Sequence, residues 1–220
     1  VSLPSRIDYP PALIYSDDWE IDARLVPFQV SRQELVEIAR AVQGARADSV
    51  ENDPATAEGL LAYIYGTRFM RATWRSKGWS LYRENNIESV RHPERNWKII
   101  YQNVDIAATR EHEPRAASGK KSGSERLLDL SQGNLFPPEM FKSTSNFTPT
   151  NSGVWYFCVS VDGDDVRAEL SLPLRVANGN FDGFAERIFI VRGGEWPDLV
   201  ARPVPDLGPA EFEPVVTRKK

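Results

Sequence analysis

The sequence predicts a single α+β domain over residues 1–220: two N-terminal helices packed on a mainly antiparallel sheet, with extended N- and C-terminal segments. Three observations predict it. Helical periodicity is confined to residues 31–78, strand-like runs follow from Trp97 onward, and no strand–helix–strand rhythm of a parallel sheet appears. At 220 residues, 41% hydrophobic and 26% charged, the chain has the composition of a soluble globular domain and the length to fill one core. No Gly/Ser- or Pro-rich linker divides it into two halves.

Residues 1–30 carry Pro4, Pro10, Pro11 and Pro27 among Tyr9, Leu13, Ile14, Tyr15 and Trp19, a pattern that reads as an extended arm laid on the core. The first helix follows. Ser31 and Glu34 form a capping box, Val30 and Leu35 a hydrophobic staple, and Leu35, Ile38, Ala39 and Val42 one apolar face, with Gly44 as the stop. The second helix starts from Asp53 as N-cap with Pro54 in its first turn and closes at Gly78. Its N-terminal half places Ala57, Leu60, Leu61 and Ile64 on one apolar stripe.

Trp97–Ala108 reads as a buried strand that ends near a carboxylate, Asp105. Such a group needs a partner or a function unless it is exposed; a salt bridge to an arginine, a catalytic acid and exposure at the strand end are the three readings. Residues 109–126, rich in Ser and Gly around Lys120 and Lys121, read as a flexible basic loop. A second irregular stretch covers residues 134–152. Val154–Val161, the turn Asp162–Asp165, Val166–Leu172 and Glu186–Arg192 then give an antiparallel meander. Residues 196–220, with Pro197, Pro203, Pro205, Pro209 and Pro214, read as a proline-rich tail.

Several function classes drop out. No run of 18 apolar residues spans a membrane, and Val1–Tyr15 lacks the basic-then-apolar pattern of a signal peptide. A single cysteine, Cys158, sits in an apolar run and reads as a small buried hydrophobe; these features together point to the cytoplasm. His92 and His112 lie far from Cys158, so no zinc spacing exists, and both histidines read as solvated. Gly119-Lys120 lacks the glycine five residues upstream that a phosphate loop requires, because Pro114 stands there. Asp162, Asp164 and Asp165 share one tight turn near Glu169, and hairpin chemistry accounts for them better than metal binding. No cofactor is implied by these residues, and the chain reads as a binding or accessory module rather than an enzyme.

The candidate site is the stretch Gly66–Arg83. It interleaves Arg68, Arg71, Arg75, Lys77 and Arg83 with Phe69, Trp74, Trp79 and Tyr82. Arg68, Arg71 and Arg75 fall at i, i+3 and i+7, on one helix face. Guanidinium forks match phosphates and aromatic rings stack on bases, so the leading expectation is contact with DNA or RNA. Arg91, Arg95, Lys120 and Lys121 would extend that footprint if they lie on the same side. The competing readings are internal pairing with the carboxylates of this chain's own acidic half, from Asp162 onward, and a docking surface that makes the protein an interaction subunit of a larger assembly. The net charge of −4 excludes a uniformly basic binder, and the excess of acids after Asp162 predicts a basic side and an acidic side.

A third reading comes from two short motifs. Ser143-Thr144-Ser145, preceded by Phe141, and Glu211-Phe212-Glu213 resemble the STS and ExE elements of arginine-type mono-ADP-ribosyltransferases. The resemblance covers six residues, and the segments between them depart from the family. It implies an NAD-dependent transferase in which Ser143 and Ser145 brace NAD and Glu213 carries catalysis.

Overall fold

The computed structural model describes residues 10–84, 87–117, 152–177 and 180–200. In chain order these form β1 (Leu13–Tyr15), α1 (Asp18–Leu25), a 3-10 turn (Val26–Phe28), α2 (Arg32–Ala47), α3 (Ala57–Ser76), β2 (Ser80–Glu84), β3 (Ile87–Arg91), β4 (Asn96–Asn103), β5 (Ser152–Asp162), β6 (Asp165–Ala177), β7 (Asn180–Val191) and α4 (Trp196–Val200). The class is α+β, as the sequence predicts. The helices lie on one face of a seven-stranded, mostly antiparallel sheet of order β1-β7-β6-β5-β4-β3-β2.

The expected meander is β5-β6-β7, and β2-β3-β4 make a second one. The two are joined in parallel, with Ile99 of β4 opposite Trp155 of β5 and Tyr101 opposite Phe157. A parallel neighbour needs a long crossover, which the stretch 104–151 is long enough to supply. β1 also runs parallel to β7.

Several boundaries differ from the sequence reading. Residues 18–25 form helix α1 rather than an extended arm, because Ile21 and Leu25 recur at helical spacing and both are buried. The prolines that suggested an arm stand outside it: Pro10 and Pro11 precede β1, and Pro27 sits in the 3-10 turn. α2 begins at the predicted capping box, where Ser31 N–H donates to the Glu34 carboxylate (2.8 Å) and Glu34 N–H to Ser31 Oγ (3.2 Å). It runs through Gly44 to Ala47. α3 starts at Ala57, after a turn that holds Pro54, and ends before Gly78, whose φ of 86° needs glycine. Residues 196–200, expected to open an extended tail, form α4, whose Trp196 is buried and donates to Gln43 Oε1 (3.0 Å).

β4 stops at Asn103, so Asp105 lies beyond the strand instead of within it. Its carboxylate is 42% exposed, accepts from the N–H groups of Ile106 (2.7 Å) and Arg115 (2.8 Å), and pairs with His112 (2.9 Å). Burial pushes the Asp105 carboxyl up, but those hydrogen bonds outweigh it and leave the pKa below the ordinary value. The group closes a turn.

The main core lies between sheet and helices. Val90, Ile99, Tyr101, Trp155, Phe157, Leu170, Ile188 and Ile190 meet Ile21, Leu25, Phe28, Leu35, Ile38, Val42, Met70 and Trp74. The opposite face buries a smaller cluster around Ile100, Tyr156 and Cys158, the last buried as expected of it. His92 departs from its expected solvated state. It is buried edge-on against Trp79 (centroids 4.8 Å), and its Nδ1 accepts from the N–H groups of Glu94 and Arg95. Burial first, and the Arg95 charge second, lower its pKa.

Two carboxylates from the acidic half are also buried. Glu169 is held by Arg187 (2.9 and 2.6 Å) and by Ser171 Oγ (2.6 Å), on the face away from the helices. Glu186 is bridged on the helix side by Arg24 of α1, and burial raises its pKa against that pairing. Buried charges persist only when paired in this way.

Candidate functional site

Gly66–Arg83 spans the C-terminal half of α3, the turn at Gly78 and most of β2. The face that α3 turns to the sheet carries Ala62, Gly66, Thr67, Met70 and Trp74. A Cβ on Gly66 would come within 2.2 Å of the Tyr101 ring, so the helix rests directly on β4 at that point. Tyr101 supplies the volume that a larger helix residue would otherwise supply.

The stripe that periodicity marks as the core face consequently points outward. Leu60 is 57% exposed and Ile64 39%, and Phe69 next to them is 42% exposed. On the helix surface these residues make two neighbouring i, i+4 rows, Leu60–Ile64–Arg68 and Leu61–Tyr65–Phe69. The Tyr65 and Phe69 rings stack at 6.4 Å, and the Arg68 guanidinium lies 4.7 Å from the Tyr65 ring centroid.

The predicted site residues divide into distinct groups. Trp74 is fully buried and packs against Trp79 (6.1 Å), so its ring is not free to stack on a base. Arg71 is bound to Glu88, which Arg83 also engages. Lys77 bridges to Glu34 of α2 (2.8 Å). Burial pushes the Glu34 carboxyl up, yet the hydrogen bonds from Lys77 and Ser31 hold it below its usual range. Arg95 lies over Trp97 (4.6 Å) in the β3–β4 turn. Arg91 belongs to the opposite face of the sheet, where it and Lys98 sit over Tyr82 at 5.9 and 4.5 Å. Strand alternation dictates that placement, since its neighbour Val90 faces the helices.

Arg68 and Arg75 remain exposed on the outward face of α3, and no ion pair engages either among the described residues. The structure thus brings Arg68, Arg71 and Arg75 onto one helix and leaves Arg91 on the far side of the sheet. Lys120, Lys121, Ser143, Ser145 and Glu213 lie outside the described residues. Arg71, Lys77 and Arg83 pair with nearby acids rather than with the acidic C-terminal half.

Compared with protein-family models, curated proteins and solved structures, the chain matches none. The site therefore rests on its own chemistry. Among the described residues no group of three or more His, Cys, Asp and Glu is arranged to hold a metal ion. No described helix is long and apolar enough to cross a membrane.

Sequence reasoning missed the outward apolar rows and the burial of His92. The pair Ala62 and Gly66, four residues apart, was the available signal for the first, because small residues mark the line of closest approach. For the second, the flanking Trp79 and Trp97 were the only hint.

Proposed function

We propose that this protein is a binding module whose working surface is the outward face of α3, and that the surface receives another protein chain. The observation that carries the reading is the exposure of Leu60, Ile64 and Phe69 beside Arg68 on its Tyr65 platform. Adjoining large apolar side chains on a surface mark interaction sites, and aromatic residues with arginine dominate the energetic centres of protein interfaces. With Arg68 and Arg75 beside the apolar rows, the complementary partner segment is apolar and flanked by carboxylates.

The test is affinity capture with wild type and the double variant Leu60→Asp/Ile64→Asp, with Trp19→Asp as a control at another exposed apolar residue, on α1. The reading expects a partner retained by wild type and the control and lost by the double variant. A partner retained equally by all three contradicts it.

A second reading, contact with a nucleic-acid backbone, is favoured by one observation: Arg68 and Arg75 are two exposed guanidiniums on one helix line. It expects a mobility shift with DNA or RNA at low salt. Because each neutralised phosphate releases counterions, Arg68→Ala should then flatten the logarithmic salt slope by about one unit. No shift at tens of micromolar wild-type protein removes this reading and leaves the first intact.

A further inference from the structure

The sheet face opposite the helices carries an open cleft of about 350 Å³, within the range of small-ligand sites. Three arginines from separate segments line it: Arg110 from the loop after β4, Arg167 from β6 and Arg192 just after β7. Glu111 is the one acidic side chain among the lining residues, and its carboxylate is already engaged by Thr109 Oγ1. The lining therefore carries a net formal charge of +2, and Asp165 and Glu195, outside the lining, pair with Arg167 and Arg192.

The cleft is anchored to the interior. Ala108, which forms part of its wall, has φ of 49°, a left-handed conformation that a residue with a Cβ rarely adopts. It is held there because its N–H donates to the fully buried Glu169 carboxylate (2.6 Å), while Ala107 N–H donates to Ser160 Oγ (3.1 Å). Glu169 is itself fixed by Arg187, so the loop that presents Arg110 is pinned to a buried charge network.

Each guanidinium is also braced from one side. Asp165 accepts from Arg167 Nε (2.7 Å), which leaves both terminal nitrogens of Arg167 without a described partner. Glu195 takes Nε and Nη2 of Arg192, and Arg110 Nη2 donates to Ser16 Oγ (2.8 Å). Gly193 lies flat against Arg167: a Cβ there would come within 2.7 Å of the guanidinium carbon and of Nη2. The absence of a side chain at 193 lets that guanidinium sit where it does.

We propose that this cleft binds a phosphate dianion, either free or as a small phosphate monoester. Guanidiniums arriving from three segments suit a tetrahedral acceptor with several oxygens better than a planar monocarboxylate, and a lining charge of +2 matches a dianion. The site is separate from the α3 surface, and its occupancy does not depend on what α3 binds.

Isothermal titration of the full chain at low ionic strength tests the proposal, with sodium phosphate, phenyl phosphate and sodium acetate as probes. The proposal expects saturable binding of phosphate or phenyl phosphate and none of acetate. The tighter of the two phosphates identifies the source. Arg110→Gln, a change at an exposed side chain that leaves the fold intact, and Arg167→Gln should each bind about tenfold more weakly or worse, as expected on losing a charge-assisted hydrogen bond. Gly193→Ala should also weaken binding by displacing Arg167, with circular dichroism confirming that it is folded. Arg40→Gln, on α2 and paired there with Glu37, should bind like wild type. Absence of saturable phosphate binding by wild type up to about 10 mM, the millimolar limit of a weak specific site, overturns the proposal. So does acetate binding as tightly as phosphate, or undiminished binding by Arg110→Gln and Arg167→Gln.

Discussion

α2 and α3 pack on the same sheet and both display a helical apolar period, but only α2 buries the period it displays. In α2 the residues marked by spacing, Leu35, Ile38, Ala39 and Val42, all enter the core. In α3 the marked residues Leu60 and Ile64 stay outside, and Ala62, Gly66, Thr67, Met70 and Trp74 enter instead. The cause lies in the layer beneath. Under α3 the sheet presents Tyr101, whose ring occupies the place of a Cβ at Gly66. Interiors are close-packed, so the helix face is chosen by the volume it must share with the sheet as well as by hydrophobicity. The surplus apolar face of α3, with Leu60, Ile64 and Phe69, is then left outside the core.

The largest effect that could break this contrast is at Trp74. Truncation to Ala should cost about 3–5 kcal/mol of stability, as for other buried aromatics, measured by urea unfolding. A loss under about 1 kcal/mol would place the ring at the surface, within the range of ordinary exposed positions.

The two helix glycines sharpen the contrast further. Gly66→Ala should destabilise by about 1–3 kcal/mol through overpacking against Tyr101, although alanine favours the helix by about 1 kcal/mol. Gly44→Ala in α2, where nothing lies within 4 Å of the added Cβ, should instead stabilise by about 0.5–1 kcal/mol. Thermal melts of the two variants should therefore move in opposite directions.

A smaller effect belongs to His92, at the end of the aromatic cluster below α3. Its pKa in the fold is lowered by burial and by Arg95, relative to an ordinary value of 6.5. The unfolded chain thus binds the proton more readily. The stability that His92 contributes is fully present above its ordinary pKa and is lost as pH falls from there through the folded pKa. The slope cannot exceed that of one proton, about 1.4 kcal/mol per pH unit. His92→Asn, whose side-chain oxygen can accept from the same turn N–H groups, should show a shallower decline in urea midpoint between about pH 7 and pH 5.

Much of the fold was legible because local signals agreed with tertiary packing. The Ser31–Glu34 box, the β5–β6 turn at Gly163 and the alternating β6 each carry their own chemistry. The legible part of the site was the helix line of Arg68, Arg71 and Arg75. What remained illegible depends on partners distant in sequence. Arg71 is tied to Glu88, Lys77 to Glu34, and Glu169 to Arg187, and no short window contains the geometry of those pairs. The parallel join of β4 and β5 was hidden for the same reason. α1 was hidden by prolines that flank it without entering it.

The central claim is that α3 holds its bulky apolar rows out of the core. Equilibrium urea unfolding of Leu60→Asp/Ile64→Asp beside wild type tests it most directly. The predicted result is an unfolding free energy within about 0.5 kcal/mol of wild type, as for surface positions, with an unchanged denaturant slope. A loss of about 3 kcal/mol or more, the signature of charge forced into a packed interior, would contradict it.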